Sequence, residues 1–561
     1  MEYVWLNETS RKFLENGYLS EGETPEERID VIAKTAEEIL GIEGYANKFK
    51  GYMAKGWISL SSPIWANFGK ERGSPISCFS SYLGDSVSEI SFTAGEVAMM
   101  SKIGGGTSAY VGDVRPRGSD ITDNGKTSGV VHFLELFQAV TDVVSQGQTR
   151  RGRFAPYLPI DHGDIEEYLD IGTEGNPLQT MTTAVTIPDY WLEEMIAGDK
   201  KKRNIWAKLL RRRAEVGFPY CFFHGPSQEF KSDIYKDKGI EITNSQLCSE
   251  LLLEVNENES FVCDLSSINA AHYDEYKDTD VVETVVYLLD AVMTEFLTKL
   301  EKMRDSDEKE DQLAFHFMQR AYNFAKRQRA LGTGILGLAT YFQKNNLPFT
   351  SEEANQKAGE ITKHLRDHAY KASEELAEMF GECEITKGYG RRHVTLTAIA
   401  PTQSSATILG QVSQSIEPLM SNYYIKDQAK LKYEVKNPEL QRVLEAKGYN
   451  TNEVWMSIAK NDGSVQHLTD ILTDHEREVF LTFPEIDQKK LIDQAAIRQQ
   501  YLDQTQSMNL MIPATAGVKE MNEITLYAWK KRLPTLYYQH STNASQQFLR
   551  NKNNECLSCQ A

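Results

Sequence analysis

Apolar and charged positions interleave at helical spacing along residues 8–56, as in SRKFLENG and ERIDVIAKTAEEIL. The pattern breaks over 59–85, SLSSPIWANFGKERGSPISCFSSYLGD, whose Ser, Gly and Pro predict short strands and loops. Helical spacing returns over 86–102 and 127–146. In the second stretch Val130, Leu134, Phe137, Val140 and Val144 share a face. Residues 281–298 predict an apolar helix, and the charged run 299–311 predicts a solvated turn or insertion. Residues 393–400, HVTLTAIA, alternate like a strand and then break into PTQSSATILGQ. Strand, polar loop and helix start is an arrangement whose backbone N–H groups can hold a phosphate. An ordinary helix capped by Thr402 or Ser404 explains the same residues. The last residues, LRNKNNECLSCQA, predict a flexible polar tail.

Composition narrows the class. At 561 residues the chain exceeds one small core, although α/β barrels reach this size as one unit. The formal net charge of -19 repels a phosphate backbone, so non-specific nucleic-acid binding is not expected. Phosphates on a small ligand need a local pocket that overrides this field. The N-terminal residues lack a signal-peptide pattern, and no run approaches the roughly 20 apolar residues of a membrane span. A cytoplasmic protein without membrane contact is expected.

The seven cysteines are Cys78, Cys221, Cys248, Cys263, Cys383, Cys556 and Cys559. An odd, sparse set in an unsecreted chain argues against a disulfide framework. Cys556 and Cys559 lack the further ligands of a zinc site, so no metal site is expected. A CxxC on a polar tail can exchange with other disulfides, which makes sense if an interior pair is oxidised in each turnover. Cys248 lies in TNSQLCSELLLEV with Glu250 two residues on, so in an extended segment thiol and carboxylate face one side. Taken alone, Cys248, Cys78 and Cys263 also suit a small buried hydrophobe, and Cys221 and Cys383 are left with that role. Tyr537 and Tyr538 are adjacent in RLPTLYYQHS. In a strand such neighbours pack on opposite faces; as oxidisable phenols they suit a relay. Two Gly/Arg loops, IGGGTSAYVGDVRPRGSDITDNGKTSG and SQGQTRRGRFAP, follow the helical stretches 86–102 and 127–146. They suit an anion grip or plain surface connections.

From about residue 57 onward, the ordered motifs SSPI, SCFSSYLGDS, the GGG loop, SQGQTRRG, NSQLCSE, CDLSSIN, RQRALGTGILGLA, PTQSSAT with SIEP, QSMNL, TLYYQ and the tail CxxC resemble the large subunit of aerobic, class I ribonucleotide reductases. The resemblance implies a ten-stranded α/β barrel of two five-stranded halves over 57–545, with Cys248 on a central finger loop. A small helical N-terminal region, 1–56, and a redox-active tail, 546–561, flank it. It implies reduction of ribonucleoside diphosphates through a thiyl radical on Cys248, with Glu250 as base and Cys78 and Cys263 as the reducing pair. Cys556 and Cys559 would re-reduce that pair and be recharged by thioredoxin or glutaredoxin. Tyr537 and Tyr538 would relay the oxidising equivalent from a ferritin-like, metal-containing small subunit, so this chain binds no cofactor itself. Ser62, Ser77 and the loop Thr402, Gln403, Ser404, Ser405 correspond to the substrate grip. Asp85, Ser86, Arg115 and the loop of Arg150 correspond to the site for dNTP or ATP effectors. A homodimer through the helices 86–102 and 127–146 is implied. The chain departs from the pattern at Gln246, where the family has Asn, and no ATP-cone precedes the barrel, which implies no dATP shut-off through such a domain. Two alternatives are an adenosylcobalamin-dependent enzyme on the same fold and an inactive effector-binding homologue. The tyrosine pair speaks against the first and the retained cysteines against the second.

Overall fold

The structure is a computed structural model and describes residues 2–71, 73–144, 152–428 and 431–541. Three helices open the chain: α1 (Glu8–Glu15), α2 (Pro25–Leu40) and α3 (Tyr45–Ala54). Thr24 and Glu27 form a capping box on α2, which fixes where that helix starts. Strand β1 (Ile58–Leu60) and the short helix α4 (Ser62–Asn67) follow. The fully buried Arg28 of α2 donates to the carbonyl oxygens of Ile64, Trp65 and Phe68. A guanidinium thus satisfies the open carbonyls of α4 and ties the helical region to the first strand.

Five strands then run parallel: β2 (Cys78–Tyr82), β3 (Gly106–Tyr110), β4 (Phe154–Pro159), β5 (Ala184–Ile187) and β6 (Tyr220–Phe223). They are buried almost throughout, as expected of parallel strands with both faces covered. Helices α5 (Val87–Lys102) and α6 (Val130–Val143) pack together on the outside. The second half begins with β7 (Phe261–Cys263), β8 (Leu265–Asn269) and β9 (Gly332–Leu336). β9 bridges in parallel to Thr397, and Ile399 bridges in parallel to Gln506. Beyond a hairpin of β10 (Tyr423–Gln428) and β11 (Leu431–Lys436), β12 (Leu510–Met511) pairs in parallel with β14 (Gln539–His540). β13 (Thr535–Leu536) returns to β6 in antiparallel register.

These pairings close a ring. β7 lies antiparallel to β2, and β13 lies antiparallel to β6, so the seven-stranded order β13-β6-β5-β4-β3-β2-β7 meets the second half at both ends. The runs β7–β8, β9, 397–399, 506–511 and 535–540 form that second half. Two parallel five-strand halves joined at antiparallel seams are the barrel expected from the sequence. The turn expected in the charged run 299–311 falls at 305–308; helix Val281–Arg304 and helix Lys309–Gln328 take up the rest of the run on either side. The charges sit on exposed helix ends, where solvated side chains cost the helix little. Thr402 does not cap helix Gln403–Ile408: its φ is 50°, and its Oγ1 accepts from Ser415 N at 2.8 Å.

Behind the barrel, Asp290 accepts from Arg329 Nη2 at 2.7 Å and Arg392 Nε at 2.9 Å, and meets His393 Nε2 at 3.0 Å. Burial opposes its charge, yet Arg329, His393 and Arg392 hold its carboxyl well below the usual carboxylate range. Replacing Asp290 by Asn removes the charge that pairs with the buried Arg329 and the partly buried Arg392, and a broken buried pair costs about 3–5 kcal/mol. Urea unfolding of Asp290→Asn is expected to show a loss of that size. Asp120→Asn, at the exposed Lys126 pair, is expected to change stability by less than about 1 kcal/mol.

Candidate active site

Between β6 and β7 the chain leaves the wall and threads the barrel. Residues 244–253 are all buried, so every backbone polar group there needs a protein partner. Both halves supply them. From the first half, Ser108 Oγ donates to Ser245 O at 3.4 Å, and Tyr157 Oη donates to Gln246 O at 2.7 Å. From the second, Ser507 Oγ donates to Cys248 O at 2.6 Å and Thr505 N donates to Glu250 O at 3.0 Å. Ser249, at φ 67°, turns the tip in the left-handed region. Cys248 and Glu250 therefore share the cavity through a turn, not through the pleat of an extended segment.

The seam between β2 and β7 sets Cys78 directly opposite Cys263. Opposed Cα atoms in antiparallel strands are about 4.5–5.5 Å apart, within the reach of a disulfide. The Cys78 thiol hydrogen-bonds to both Cys248 and Cys263. The Tyr537 hydroxyl donates to the Cys248 sulfur. Its hydrogen bond to Cys78, its burial and the nearby Glu250 carboxylate all push the Cys248 thiol well above the usual range. Burial, then Cys78, does the same to Cys263. Burial first, then Cys78, pushes Glu250 up to about 8, while Ser507 Oγ, donating to Oε2 at 3.0 Å, and Gln246 pull it back. The thiols are thus held as S–H, unsuited to ionic attack but able to exchange hydrogen atoms.

The second seam carries the phenols. β13 ends at Leu536 and β14 starts at Gln539, so Tyr537 and Tyr538 fall in the break between them. Freed from the pleat, their rings lie 4.5 Å apart between centroids, not on opposite faces. Tyr220 of β6, which sequence reasoning missed, completes a triangle at 4.6 Å from Tyr537 and 5.1 Å from Tyr538. Glu417 of the SIEP motif was also missed. It accepts from Asn509 Nδ2, whose own Oδ1 accepts from Tyr538 N at 3.0 Å.

A small cavity opens onto Cys248, Glu250, Cys78 and Ser77. Thr402 and Ser405 line it too. Ser62 does not; its Oγ donates to Tyr18 Oη at 3.3 Å, and the neighbouring Ser61 faces the cavity. Ser404 is buried beside the wall and Gln403 is half-buried outside it. Ser59, Ser266 and Ser267 add hydroxyls that the motifs SLSS and CDLSSIN contained without singling out. Some 30 residues away in sequence from Asp85, Arg115 donates to it through N at 3.0 Å and Nε at 2.6 Å, while Ser86 caps α5 by accepting from Glu89 N. Cys221 sits in the β6–β13 seam opposite Leu536, and Cys383 contacts Thr386, both buried and apart from the thiol cluster. Arg150, Cys556 and Cys559 lie outside the described residues. Among the described residues no group of three or more His, Cys, Asp or Glu is arranged to hold a metal ion.

Fold and site together define a class: a large α/β barrel enzyme with a thiol cluster at its centre. A family model described as ribonucleotide reductase, barrel domain, matches residues 76–202, 193–386 and 383–539, and one described as ribonucleotide reductase, all-alpha domain, matches 4–73. The chain is 30% identical over 608 residues to the ribonucleoside-diphosphate reductase large subunit of Invertebrate iridescent virus 3, covering 94% of this chain and 92% of that protein. It is 29% identical over 567 residues to the large subunit of Caenorhabditis elegans, covering 87% and 69%. Among solved structures, the class Id ribonucleotide reductase alpha subunit of Actinobacillus ureae superposes with a TM-score of 0.90 at 52% identity, covering 97% of this chain and 99% of that one. The chain belongs to the ribonucleotide reductase family and is a large subunit of it.

The seam geometry carries a direct expectation. Mild oxidation of the folded protein should link Cys78 to Cys263 and leave Cys221 and Cys383 as thiols, read by peptide mapping after alkylation. A Cys248–Cys78 link as the main product would contradict the register argument.

Proposed function

We propose that the chain reduces ribonucleoside diphosphates to 2'-deoxyribonucleoside diphosphates, using a thiyl radical on Cys248 generated by a separate small subunit. The observation that carries this is the contact of Cys248 with the Tyr537 phenol on one side and with Cys78, itself paired with Cys263, on the other, beside a cavity that Cys248, Cys78 and Glu250 line. An oxidised Tyr537, itself reached through Tyr538, takes a hydrogen atom from Cys248. The thiyl radical then takes the 3' hydrogen of the ribose, a step for which S–H and C–H bonds are well matched. Glu250 accepts the 3'-OH proton as general base. Cys78 and Cys263 supply two protons and two electrons and end as a disulfide: one proton leaves with the 2' hydroxyl as water, and the other, with the electrons, completes the new C2'–H bond. Glu250 returns its proton to O3', and Cys248 returns the hydrogen to C3'. Cys556 and Cys559 then reduce the disulfide by thiol exchange and are recharged by thioredoxin or glutaredoxin.

The hydroxyls of Ser61, Ser77, Thr402 and Ser405, with the loop around Gln403 and Ser404, hold the substrate's phosphates. Ser62 contributes through the position of α4. A (deoxy)nucleoside triphosphate effector sits near Asp85, Ser86 and Arg115, and the loop of Arg150 passes its identity to the substrate site. The chain works in the cytoplasm as a homodimer through α5 and α6, with a ferritin-like small subunit that carries the metal. No helix of the described residues is long and apolar enough to cross a membrane.

Cys248→Ser is expected to abolish turnover in the presence of the small subunit while nucleotide binding, measured by calorimetry, is retained; appreciable residual reduction would sink the radical assignment. The double substitution Cys556→Ser with Cys559→Ser is expected to lose activity with thioredoxin and keep it with a small dithiol. Equal loss with both reductants would count against the shuttle.

A further inference from the structure

We infer that Arg28 is a positioning residue for the substrate grip: the helical N-terminal region holds α4 at both ends and so aims the Ser61 hydroxyl into the cavity. This rests on the reading of Ser61 as one of the hydroxyls that hold the substrate's phosphates. Ser61 occupies the N-cap of α4, where a serine ordinarily accepts from the helix's own N–H groups. Here its side chain makes no such bond. Its Oγ is buried with no hydrogen-bond partner among the described residues, and Ser61 lines the cavity. A buried hydroxyl left in this way costs about 1–3 kcal/mol, which a ligand bonded to it recovers. The neighbouring hydroxyl is turned the other way. Ser62 Oγ donates to Tyr18 Oη at 3.3 Å, and Tyr18, just after α1, is itself buried with its ring stacked on Phe13. Tyr18 therefore fixes which of the two serines faces the substrate.

Arg28 stands at the other end. Its Nε donates to Trp65 O at 2.6 Å, and its Nη2 donates to Ile64 O at 3.0 Å and to Phe68 O. Nη1 is buried without a partner, so among the described residues every hydrogen bond of this side chain goes to α4 or to its C-cap, Phe68. A helix of six residues does not hold its shape alone. At about 1.5 Å per residue α4 is about 9 Å long, so a shift at its end is felt at its start. One planar fork meets three carbonyl oxygens, and a lysine ammonium, a single point of charge, cannot reproduce it. The carbonyls that Arg28 holds and the hydroxyl that faces the cavity thus belong to one short rigid piece.

Two substitutions, made singly and together, decide this with cytidine diphosphate as substrate and the small subunit present. Ser61→Ala is expected to raise KM about tenfold, the size of one lost hydrogen bond. Arg28→Lys is expected to raise KM about three- to tenfold while kcat at saturation falls less than about twofold. In the Ser61→Ala background, Arg28→Lys should raise KM by less than about a further twofold, because both changes remove the same contact. Effects that multiply as independent ones overturn the proposal. So does a fall in kcat at unchanged KM, which is what plain loss of folded protein gives. Ser61→Ala alone reports on the reading beneath: if it leaves KM unchanged, that hydroxyl does not hold the substrate, and the role of Arg28 falls with it. Where Arg28→Lys does not fold, Tyr18→Phe decides, since it keeps the ring on Phe13 and removes only the oxygen that Ser62 bonds. It should raise KM about two- to threefold, and not in the Ser61→Ala background; an unchanged KM overturns the proposal.

Discussion

Everything at this site depends on a loop that has no solvent. Residues 244–253 run through the middle of a closed barrel, where each unpaired backbone group would cost about 1–3 kcal/mol. The barrel wall supplies the partners: side chains of Ser108 and Tyr157 on one half, Ser507 and the Thr505 backbone on the other. Because both halves bond the same ten residues, neither half can shift without breaking the loop's hydrogen bonds. The loop is also the rod that sets the distance between the halves. The thiol at its tip inherits that rigidity.

The two antiparallel seams are the second constraint. A parallel sheet cannot close on itself from two similar halves without reversing direction at the joins. Here each join is used. One seam sets Cys78 against Cys263 in direct register. The other brings β13 to β6 and leaves Tyr537 and Tyr538 in the break beyond it, their rings in tilted and edge-on contact with each other and with Tyr220. The loop tip lies between the seams and touches both. A thiol pair on one side and a phenol on the other are consequences of how the barrel closes.

Much of this was legible in the chain. The ordered motifs resemble one family, and its barrel, halves and threaded loop are what the strand pairings form. The spacing of Cys248 and Glu250 pointed to a shared face, but for a different physical reason: a left-handed Ser249 does what a pleat was expected to do. The tyrosine pair was legible as a motif and not as a geometry, since period-two alternation holds only while the strand continues. Ser61 against Ser62 was decided by a helix start one residue wide, below the precision of any pattern reading. Tyr220 had no signal of its own, because its partners lie more than 300 residues away. Charge over 299–311 marked a turn that is there at 305–308, but not its bounds, because the helix ends on either side share its composition.

The electrostatics of the cavity follow from what its wall is made of. Among the described residues that line it there is no lysine or arginine, only hydroxyls, thiols, one carboxylate and apolar carbons. A cation there would grip a phosphate more strongly, but it would also draw the neighbouring groups toward their charged forms. Cys248 and Cys263 would move toward thiolates, and Glu250 would lose the elevation that lets it hold a proton near neutral pH. A thiolate has no hydrogen atom to give. Neutral donors therefore solve two problems together: they can satisfy phosphate oxygens without a counter-charge, and they leave the thiols protonated.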